Sequence, residues 1–287
     1  MTQMVVLNLL NALTFGSVLF LVAAGLSLTL GVMGIINLAH GALYMVAGYV
    51  AWSVAAQAGL NFGLAILAGA LAAGLLGLLM ERGFLRQLYK LANEQVLITV
   101  GFVYIFTNLS MWVWGATPKA PLIPSLLSGS FNIVDKPYPV VRIAIILIGL
   151  VSAVGLWWLQ DKTRIGAMVR AGMEDKEMAM GLGINMDMVF ALLFFLGALV
   201  AGFAGVIGSQ LLGVNLALAW DILLYALAVV IVGGVGSVQG ALLGAMIIGV
   251  VDTFVKALFP MYATYTVYIV IMLMLIAKPS GLLGRKS

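Results

Sequence analysis

Long apolar segments that carry almost no charge constrain this chain more than any motif does. The first of them, "MTQMVVLNLLNALTFGSVLFLVAAGLSLTLGV", contains no charged residue. Of the 287 residues, 64% are hydrophobic and 8% are charged, whereas soluble domains carry about 25% charged residues. A chain with so few charges cannot cover its surface with groups that water solvates, so its solvent must be lipid. No basic segment precedes the first run, and we expect a retained span rather than a cleaved signal.

The number of spans follows from the lengths of these apolar segments. A membrane-crossing helix needs about 20 apolar residues to cover a hydrocarbon core of about 30 Å. Suitable segments lie at 5–30, 34–57, 62–80, 96–115, 140–159, 188–212, 222–236, 240–258 and 262–277. The seventh is short enough to be re-entrant or broken. The sequence therefore predicts an all-α polytopic membrane protein, a single domain over 1–287, with eight or nine transmembrane helices and a broken second span.

The distribution of basic residues predicts the orientation, because short links rich in lysine and arginine favour the cytoplasm. If nine spans alternate, ten of the fourteen basic residues share one side. They are Arg82, Arg86, Lys90, Lys162, Arg164, Arg170, Lys176, Lys278, Arg285 and Lys286. The opposing link 116–139 is rich in proline and is predicted to form an extended or short-helical outer cap. The N-terminus is then outside and the C-terminus in the cytoplasm.

Few residues of the sequence could bind a metal or a nucleotide or take part in catalysis. The chain has one histidine and no cysteine, and no carboxylates cluster near His40, so we expect no metal site. No G-x-x-x-x-G-K-[ST] motif occurs, so the chain has no phosphate-binding loop of its own. The formal charge of +4 is too small to indicate a nucleic-acid partner. A single histidine at membrane depth does not suggest a Ser–His–Asp set, and we expect no enzyme.

The segment "GVMGIINLAHGALYMVAGY" places Asn37 and His40 in one of the most apolar parts of the chain. If this segment is helical, Asn37, Gly41, Tyr44 and Gly48 share one stripe and His40 lies beside it. Polar groups at membrane depth normally face the bundle interior or a wet cavity. Two hypotheses follow: these residues line a translocation path, or His40 bonds a neighbouring helix or a backbone carbonyl where the span breaks.

The link 160–187 combines charge with apolar residues at helical spacing. Its core, "RAGMEDKEMAMGLGI", has charges of alternating sign and ends near Gly181 and Gly183. This pattern predicts a short amphipathic helix followed by a turn at the membrane surface. A solvated charged loop would not need the apolar residues, whereas a docking surface for a cytosolic partner explains both faces.

Asp252 and Lys256 lie four residues apart near the predicted outer end of the eighth span. An acid followed by a base at this spacing forms an ion pair across one helical turn. We expect a structural ion pair here rather than a proton relay.

Three segments together resemble a known family. "GVMGIINLAHGALYMVAGY", "RAGMEDKEMAMGLGINMDMV" and "GGVGSVQGALLGA" are similar to an early-span signature, a coupling segment and a late glycine-rich loop of the permeases that serve ABC transporters for branched-chain amino acids. The similarity runs almost end to end and is strongest to the shorter, H-type permease subunit. Gly181 departs from the family pattern, because it interrupts the apolar run before "LGIN".

The resemblance implies a particular machine in a bacterial inner membrane. This chain would form the path with a second, longer permease; two cytosolic ATPases would hold ATP and Mg²⁺; and a periplasmic substrate-binding protein would deliver the ligand. In that assembly Asn37, His40 and Tyr44 would line or gate the path, with Gly41 and Gly48 beside them. The residues implied for a cytoplasmic coupling helix are Arg170, Ala171, Glu174, Asp175, Ala179, Gly183 and Ile184.

Other functions remain open at this point. Relatives in the larger family serve urea, short amides and aromatic acids, and none of the three segments separates them. A self-sufficient secondary transporter would need paired charges near mid-depth, and the sequence offers one ionisable residue there. A membrane enzyme is the weakest alternative, since nothing in the sequence activates a nucleophile.

Overall fold

The computed structural model describes residues 2–89, 91–133 and 135–284. These ranges contain eleven α-helices and one β-hairpin. The helices are α1 Thr2–Met33, α2 His40–Trp52, α3 Phe62–Gly83, α4 Ala92–Trp114, α5 Val140–Lys162, α6 Arg164–Glu174, α7 Lys176–Gly181, α8 Met186–Leu212, α9 Leu218–Gly233, α10 Val238–Leu258 and α11 Thr266–Ala277. The strands are β1 Ser130–Ile133 and β2 Lys136–Pro139, paired antiparallel. Lys90, Arg285 and Lys286, used above to predict the orientation, lie outside the described residues.

The observed helices confirm the predicted fold class, an all-α polytopic membrane protein. Seven segments of the described chain are long and apolar enough to cross a membrane: Gln3–Gly31, Phe62–Gly83, Ala92–Trp114, Val140–Lys162, Met186–Leu212, Val238–Leu258 and Pro260–Ala277. The helices α2 and α9 are shorter, with 13 and 16 residues. Each of the nine predicted spans contains a helix, and the count of eight or nine spans stays a prediction.

The second predicted span is not one continuous helix. Residues 34–37 are not helical, and α2 begins only at His40 after a turn. Gly34 has a φ of 65°, which ends α1, and the Asn37 side chain accepts a hydrogen bond from the Ala39 N–H at 3.0 Å. Such an Asx turn competes with helical hydrogen bonding. Asn37 therefore lies outside the helix, and the stripe predicted to include it does not form.

Several of the other helices begin where the local sequence provides a cap. A side-chain oxygen at the N-cap satisfies one of the free N–H groups of the first helical turn. The pairs are Asn61 with the Leu64 N–H at 2.9 Å, Thr163 with Gly166 at 3.2 Å, Asn185 with Met188 at 3.1 Å and Ser237 with Gly240 at 2.9 Å. Local polar residues thus fix the starts of α3, α6, α8 and α10.

The link predicted as an outer cap contains the hairpin and a short 3₁₀ helix at Ser125–Leu127. Lys119 pairs with Val214, just after α8, through two backbone hydrogen bonds of 2.8 and 3.0 Å. The start of α1 reaches the same region, since Thr14 and Tyr138 share a 3.2 Å hydrogen bond. We call this the hairpin end of the bundle. The opposite end, which carries α6 and α7, is the α6–α7 end.

Close backbone contacts hold α2 in the centre of the bundle. An added Cβ at Gly205 of α8 would collide with the carbonyl of Tyr44, and one at Gly41 of α2 would collide with the carbonyl of Ala219. Only glycine allows backbones to approach this closely. Small residues commonly serve this purpose in membranes, where lipid removes the hydrophobic drive between helices.

We predict that Gly205→Ala destabilises the chain, because the new methyl group must displace α2 or α8. Overpacking of a filled core costs about 1–3 kcal/mol. Thermal unfolding of the detergent-solubilised chain should show a lower melting temperature. Gly155→Ala in α5 is the matched control, since an added Cβ there meets nothing within 4 Å. Equal melting temperatures for the two variants would contradict the close contact.

Candidate translocation path and coupling surface

The helix α2 carries most of the predicted path residues and is enclosed by the rest of the chain. Eleven of its thirteen residues are buried, among them His40, Gly41, Tyr44 and Gly48. Asn37, just before the helix, is buried as well. The helices α3, α4, α8 and α9 surround α2, and α1 contacts it to a smaller extent. The predicted path residues therefore lie inside helix–helix contacts of this chain.

His40 lies at the first position of α2 and contacts α1. Its Nε2 is 3.0 Å from the carbonyl oxygen of Val22, so one ring nitrogen is bonded to the backbone of a neighbouring helix. The other, Nδ1, is buried and has no hydrogen-bond partner among the described residues. This is the contact anticipated by the second hypothesis for His40, and it leaves one polar atom of the ring available.

Two tyrosines further along α2 also have unpaired hydroxyl groups. In the described part of the chain, the buried hydroxyls of Tyr44 and Tyr49 have no hydrogen-bond partner. The Tyr44 hydroxyl lies where a Cβ of Gly208 would be. The Tyr49 ring stacks on Trp114 with centroids 5.1 Å apart. Because most buried polar atoms in proteins are paired, a row of unpaired atoms along α2 needs an explanation.

The segment predicted to be one amphipathic helix forms two, α6 and α7. The break falls at Asp175, whose Oδ1 accepts the Met178 N–H at 2.9 Å and so caps α7. Gly183, with a φ of 85°, follows in the turn before α8. The predicted single helix is therefore wrong in this detail, because a capping aspartate in the middle of the segment starts a second helix.

Arg170 joins α6 to other elements at the α6–α7 end. Its guanidinium donates to the carbonyl of Gln160 in α5 and lies 3.9 Å from a carboxylate oxygen of Asp161. The Gln160 amide donates to the carbonyl of Gly236 at 3.0 Å, and the Gly236 N–H donates to the hydroxyl of Ser27 at 3.1 Å. A continuous line of polar contacts thus runs from α6 through α5 and the loop before α10 to α1.

The inner faces of α6 and α7 pack against the start of α8. A separate apolar cluster is formed by Val169, Ala179, Met186, Val189, Phe190 and Leu193. Two further predicted coupling residues, Ala171 and Ile184, are partly buried against this cluster. Ala179 therefore anchors α7 to the bundle and is not on its outer face.

The outer face of α7, the turn after it and the first turn of α8 expose large apolar side chains. Leu182 is 77% exposed, and Met178 and Met188 are similarly open. Glu174 and Gly183 of the predicted coupling set are exposed beside them. Sequence reasoning missed these three apolar residues. Their signal was present, since all three are large apolar residues in or beside a charged link.

A second group at the α6–α7 end was also missed. Tyr89 donates a hydrogen bond to the buried Glu81, and its ring contacts Phe190 edge-on at 5.1 Å. Burial, and then the bond to Glu81, raise the pKa of Tyr89 above its usual range, so its hydroxyl remains a donor. Arg86 pairs with Asp187 at 2.5 Å. These contacts fasten the end of α3 and the segment after it to the start of α8.

Asp252 and Lys256 form an ion pair near the hairpin end. The Lys256 Nζ is 2.6 Å from Asp252 Oδ2, and the carboxylate is buried. The Tyr225 hydroxyl donates to the other carboxylate oxygen at 2.8 Å. The two residues predicted to pair are therefore in contact, with the acid covered by α9 and the lysine half-exposed.

Within the described ranges, no group of three or more histidine, aspartate or glutamate side chains is arranged to hold a metal ion.

These features define a multi-pass integral membrane protein with polar atoms buried in its helical core and a surface helix pair at one end. Residues 8–278 match the family described as the permease component of branched-chain amino acid transport systems. The match covers most of the chain, and the chain belongs to this family.

Individual relatives agree with the family match. The high-affinity branched-chain amino acid transport system permease protein BraD of Pseudomonas aeruginosa is 31% identical and aligns over 97% of this chain and 95% of its own length. LivH of Escherichia coli is 29% identical with the same coverage. The ribose import permease protein RbsC of Escherichia coli is 28% identical over 84% of this chain and 75% of its own length.

A solved structure supports the fold. PsaBC from Streptococcus pneumoniae, in complex with a Fab, has a TM-score of 0.53 and 16% sequence identity, and the match covers 96% of this chain and 91% of that one. The arrangement of helices is thus similar to that of a structure with little sequence in common.

We predict that Tyr44→Phe does not lower the free energy of unfolding and raises it by up to about 1–3 kcal/mol, because phenylalanine removes the desolvation cost of an unpaired buried hydroxyl. Tyr225→Phe is the matched comparison, since it removes a hydrogen bond to a buried carboxylate and should cost about 1.5–3 kcal/mol. Thermal unfolding of both variants in detergent measures the difference. A loss for Tyr44→Phe as large as that for Tyr225→Phe would mean that the Tyr44 hydroxyl is paired.

Proposed function

We propose that this chain is one permease subunit of an ATP-driven importer for branched-chain or related amino acids. The family match over residues 8–278 carries this proposal. The chain itself is not catalytic in this proposal, and ATP with Mg²⁺ is bound by partner subunits. The substrate class comes from the relatives BraD and LivH, whose names state branched-chain amino acid transport.

The complete transporter in this proposal has four further subunits and one orientation. A second, longer permease packs against this chain in the proposed assembly. Large apolar residues on α4 and α5, such as Trp112 and Val151, are exposed and need lipid or another subunit to cover them. Two cytosolic ATPases and a periplasmic binding protein complete the assembly. The basic residues near the α6–α7 end favour the cytoplasmic side of an inner membrane, which leaves the hairpin end and the cap 116–139 outside.

The α6–α7 pair is proposed as the ATPase docking surface. Met178, Leu182 and Met188 supply an exposed apolar patch, and the capped junction at Asp175 fixes the angle between the two helices. Ala179 holds α7 against α8, while Arg170 connects α6 to α5. Closure of the ATPases around nucleotide would push this pair and tilt the bundle, which alternates access to the two sides.

The residues around α2 are proposed as the part of the path that this chain contributes. The unpaired Nδ1 of His40 and hydroxyl of Tyr44 offer hydrogen bonds to water or solute when the helices separate. Gly41 and Gly48 keep the neighbouring backbone close in the resting state, and Asn37 shapes the turn that starts the helix. In this arrangement α2 gates the path, because its polar atoms are enclosed until α2 and its neighbours move apart.

We predict that Leu182→Glu weakens binding of the ATPases by about tenfold or more, because burying a carboxylate in an apolar interface costs several kcal/mol. Quantitative co-purification of the complex from its native membrane measures the effect. The control is Leu126→Glu near the hairpin end, where the leucine is 90% exposed. If Leu182→Glu retains the ATPases as well as this control does, the turn after α7 is not part of the docking surface.

We predict that His40→Ala reduces amino-acid uptake by proteoliposomes while the complex still assembles. A second variant, His40→Gln, separates two roles, since the glutamine amide reaches as far as Nε2 and can still donate to the Val22 carbonyl. Full uptake by His40→Gln with loss in His40→Ala assigns His40 to positioning. Loss of uptake in both variants supports a place for the imidazole in the path. Unchanged uptake in both would mean that His40 contributes only to packing.

A further inference from the structure

A cavity of about 390 Å³ opens at the hairpin end between α1, α8, α9, α10 and α11. Its volume lies within the range of roughly 300–1,000 Å³ that is typical of small-molecule sites. Most of its wall is apolar and is formed by Phe15, Leu212, Leu218, Ile222, Leu224, Ala263 and Val267. The path and coupling residues described above do not include these.

One side of this cavity holds a positive charge with a fixed position. The Lys256 ammonium is 2.6 Å from the buried Asp252 and 3.4 Å from the Tyr225 hydroxyl. It also lies over the rings of Phe15 and Tyr225, at 5.2 and 5.7 Å from their centroids. These contacts hold the side chain in place, yet it is 51% exposed. An ammonium has three N–H groups, so Lys256 keeps one to donate to a ligand.

The same cavity contains a carboxylate without a counter-ion. Asp221, in the first turn of α9, lines the cavity with Lys256 and is exposed to it. Across the described residues it forms no salt bridge and its side chain makes no hydrogen bond. It lies one helical turn before Tyr225, on the same face of α9. The cavity therefore presents one unpaired negative group, one positive group with a free donor, and an apolar wall.

We infer that this cavity binds a free zwitterionic amino acid with an apolar side chain, its carboxylate on Lys256, its ammonium on Asp221 and its side chain against the apolar wall. The inference deepens the proposed function, on which its choice of ligand rests. Structural pairing accounts for Asp252 and Lys256, and the start of α9 favours a carboxylate at Asp221, whereas a zwitterion would use both charges and the apolar wall together. The cavity would then be the first contact of the substrate with this chain at the outer side.

The test uses a reporter cysteine in the cavity, which is possible because the chain has no cysteine of its own. Thr264→Cys places a thiol in the cavity wall, and labelling of this chain by a maleimide is followed on gels of the purified complex. Saturating leucine should slow labelling several-fold, because a ligand buried in the cleft leaves little room for the maleimide to reach the thiol. Ser128→Cys, exposed elsewhere at the hairpin end, should label at the same rate with and without leucine.

Ligand fragments and charge variants identify the groups that bind. With Thr264→Cys as reporter, 3-methylbutylamine and 4-methylpentanoate each lack one charge and should need about tenfold higher concentrations than leucine. Asp221→Asn should raise the leucine concentration for half-protection by a similar factor. The matched control is Glu94→Gln, another exposed acid without a salt bridge in the described chain, and it should leave protection unchanged.

Lys256 is tested together with its partner, because Lys256→Met alone would leave Asp252 buried and uncompensated. The double variant Asp252→Asn/Lys256→Met should also lose protection by leucine but keep the weaker protection by 3-methylbutylamine. Protection by leucine that survives both Asp221→Asn and the double variant overturns the inference, as does no protection at all.

The outcome for the proposed function is read separately, from ATP-driven leucine uptake by the same complex in liposomes. Uptake without protection at Thr264→Cys rejects the cavity site and keeps the importer. Protection that depends on Asp221, with no amino-acid uptake, supports the cavity site and rejects the importer.

Discussion

The close contact of α2 with the backbones of α8 and α9 is the constraint on which the rest of the structure depends. At Gly205 and Gly41 the backbones approach so closely that no side chain fits between them. In lipid, where apolar surfaces are already solvated, such approach replaces the hydrophobic effect as the source of packing energy. It fixes a helix of only 13 residues in the centre of the bundle, and α1, α3 and α4 then pack around it.

Much of the fold follows from apolar length, and that part was predictable from the sequence. Each predicted span contains a helix because about 20 apolar residues in lipid have no other way to satisfy their backbone groups. The exceptions are local. The Asx turn at Asn37 delays α2 until His40, and the cap at Asp175 divides the coupling segment into two helices. Both residues were visible in the sequence, but apolar periodicity gives no weight to a single capping side chain.

The sites were predicted less completely, because their contacts join distant parts of the chain. Arg86 and Asp187 are 101 residues apart, and Tyr225 covers Asp252 from a different helix. Spacing along one helix identified the Asp252–Lys256 pair but could not indicate its burial. The same limit applies to His40, whose contact with Val22 depends on the crossing of α1 and α2. The exposed Leu182 was recoverable, since it is an apolar residue in a charged link.

The polar line from Arg170 through Gln160 and Gly236 to Ser27 has a mechanical consequence. It attaches α6 to Ser27 in the last third of α1, a helix of 32 residues, whose first half contacts the hairpin through Thr14. Ser27 and Phe15 are about 18 Å apart along the helix at a rise of about 1.5 Å per residue, so a rotation of α1 by about 5° about Ser27 moves Phe15 by about 1.6 Å. Phe15 lies beside the Lys256 ammonium, so a small turn of α6 would alter the geometry around a charge in the cavity at the hairpin end.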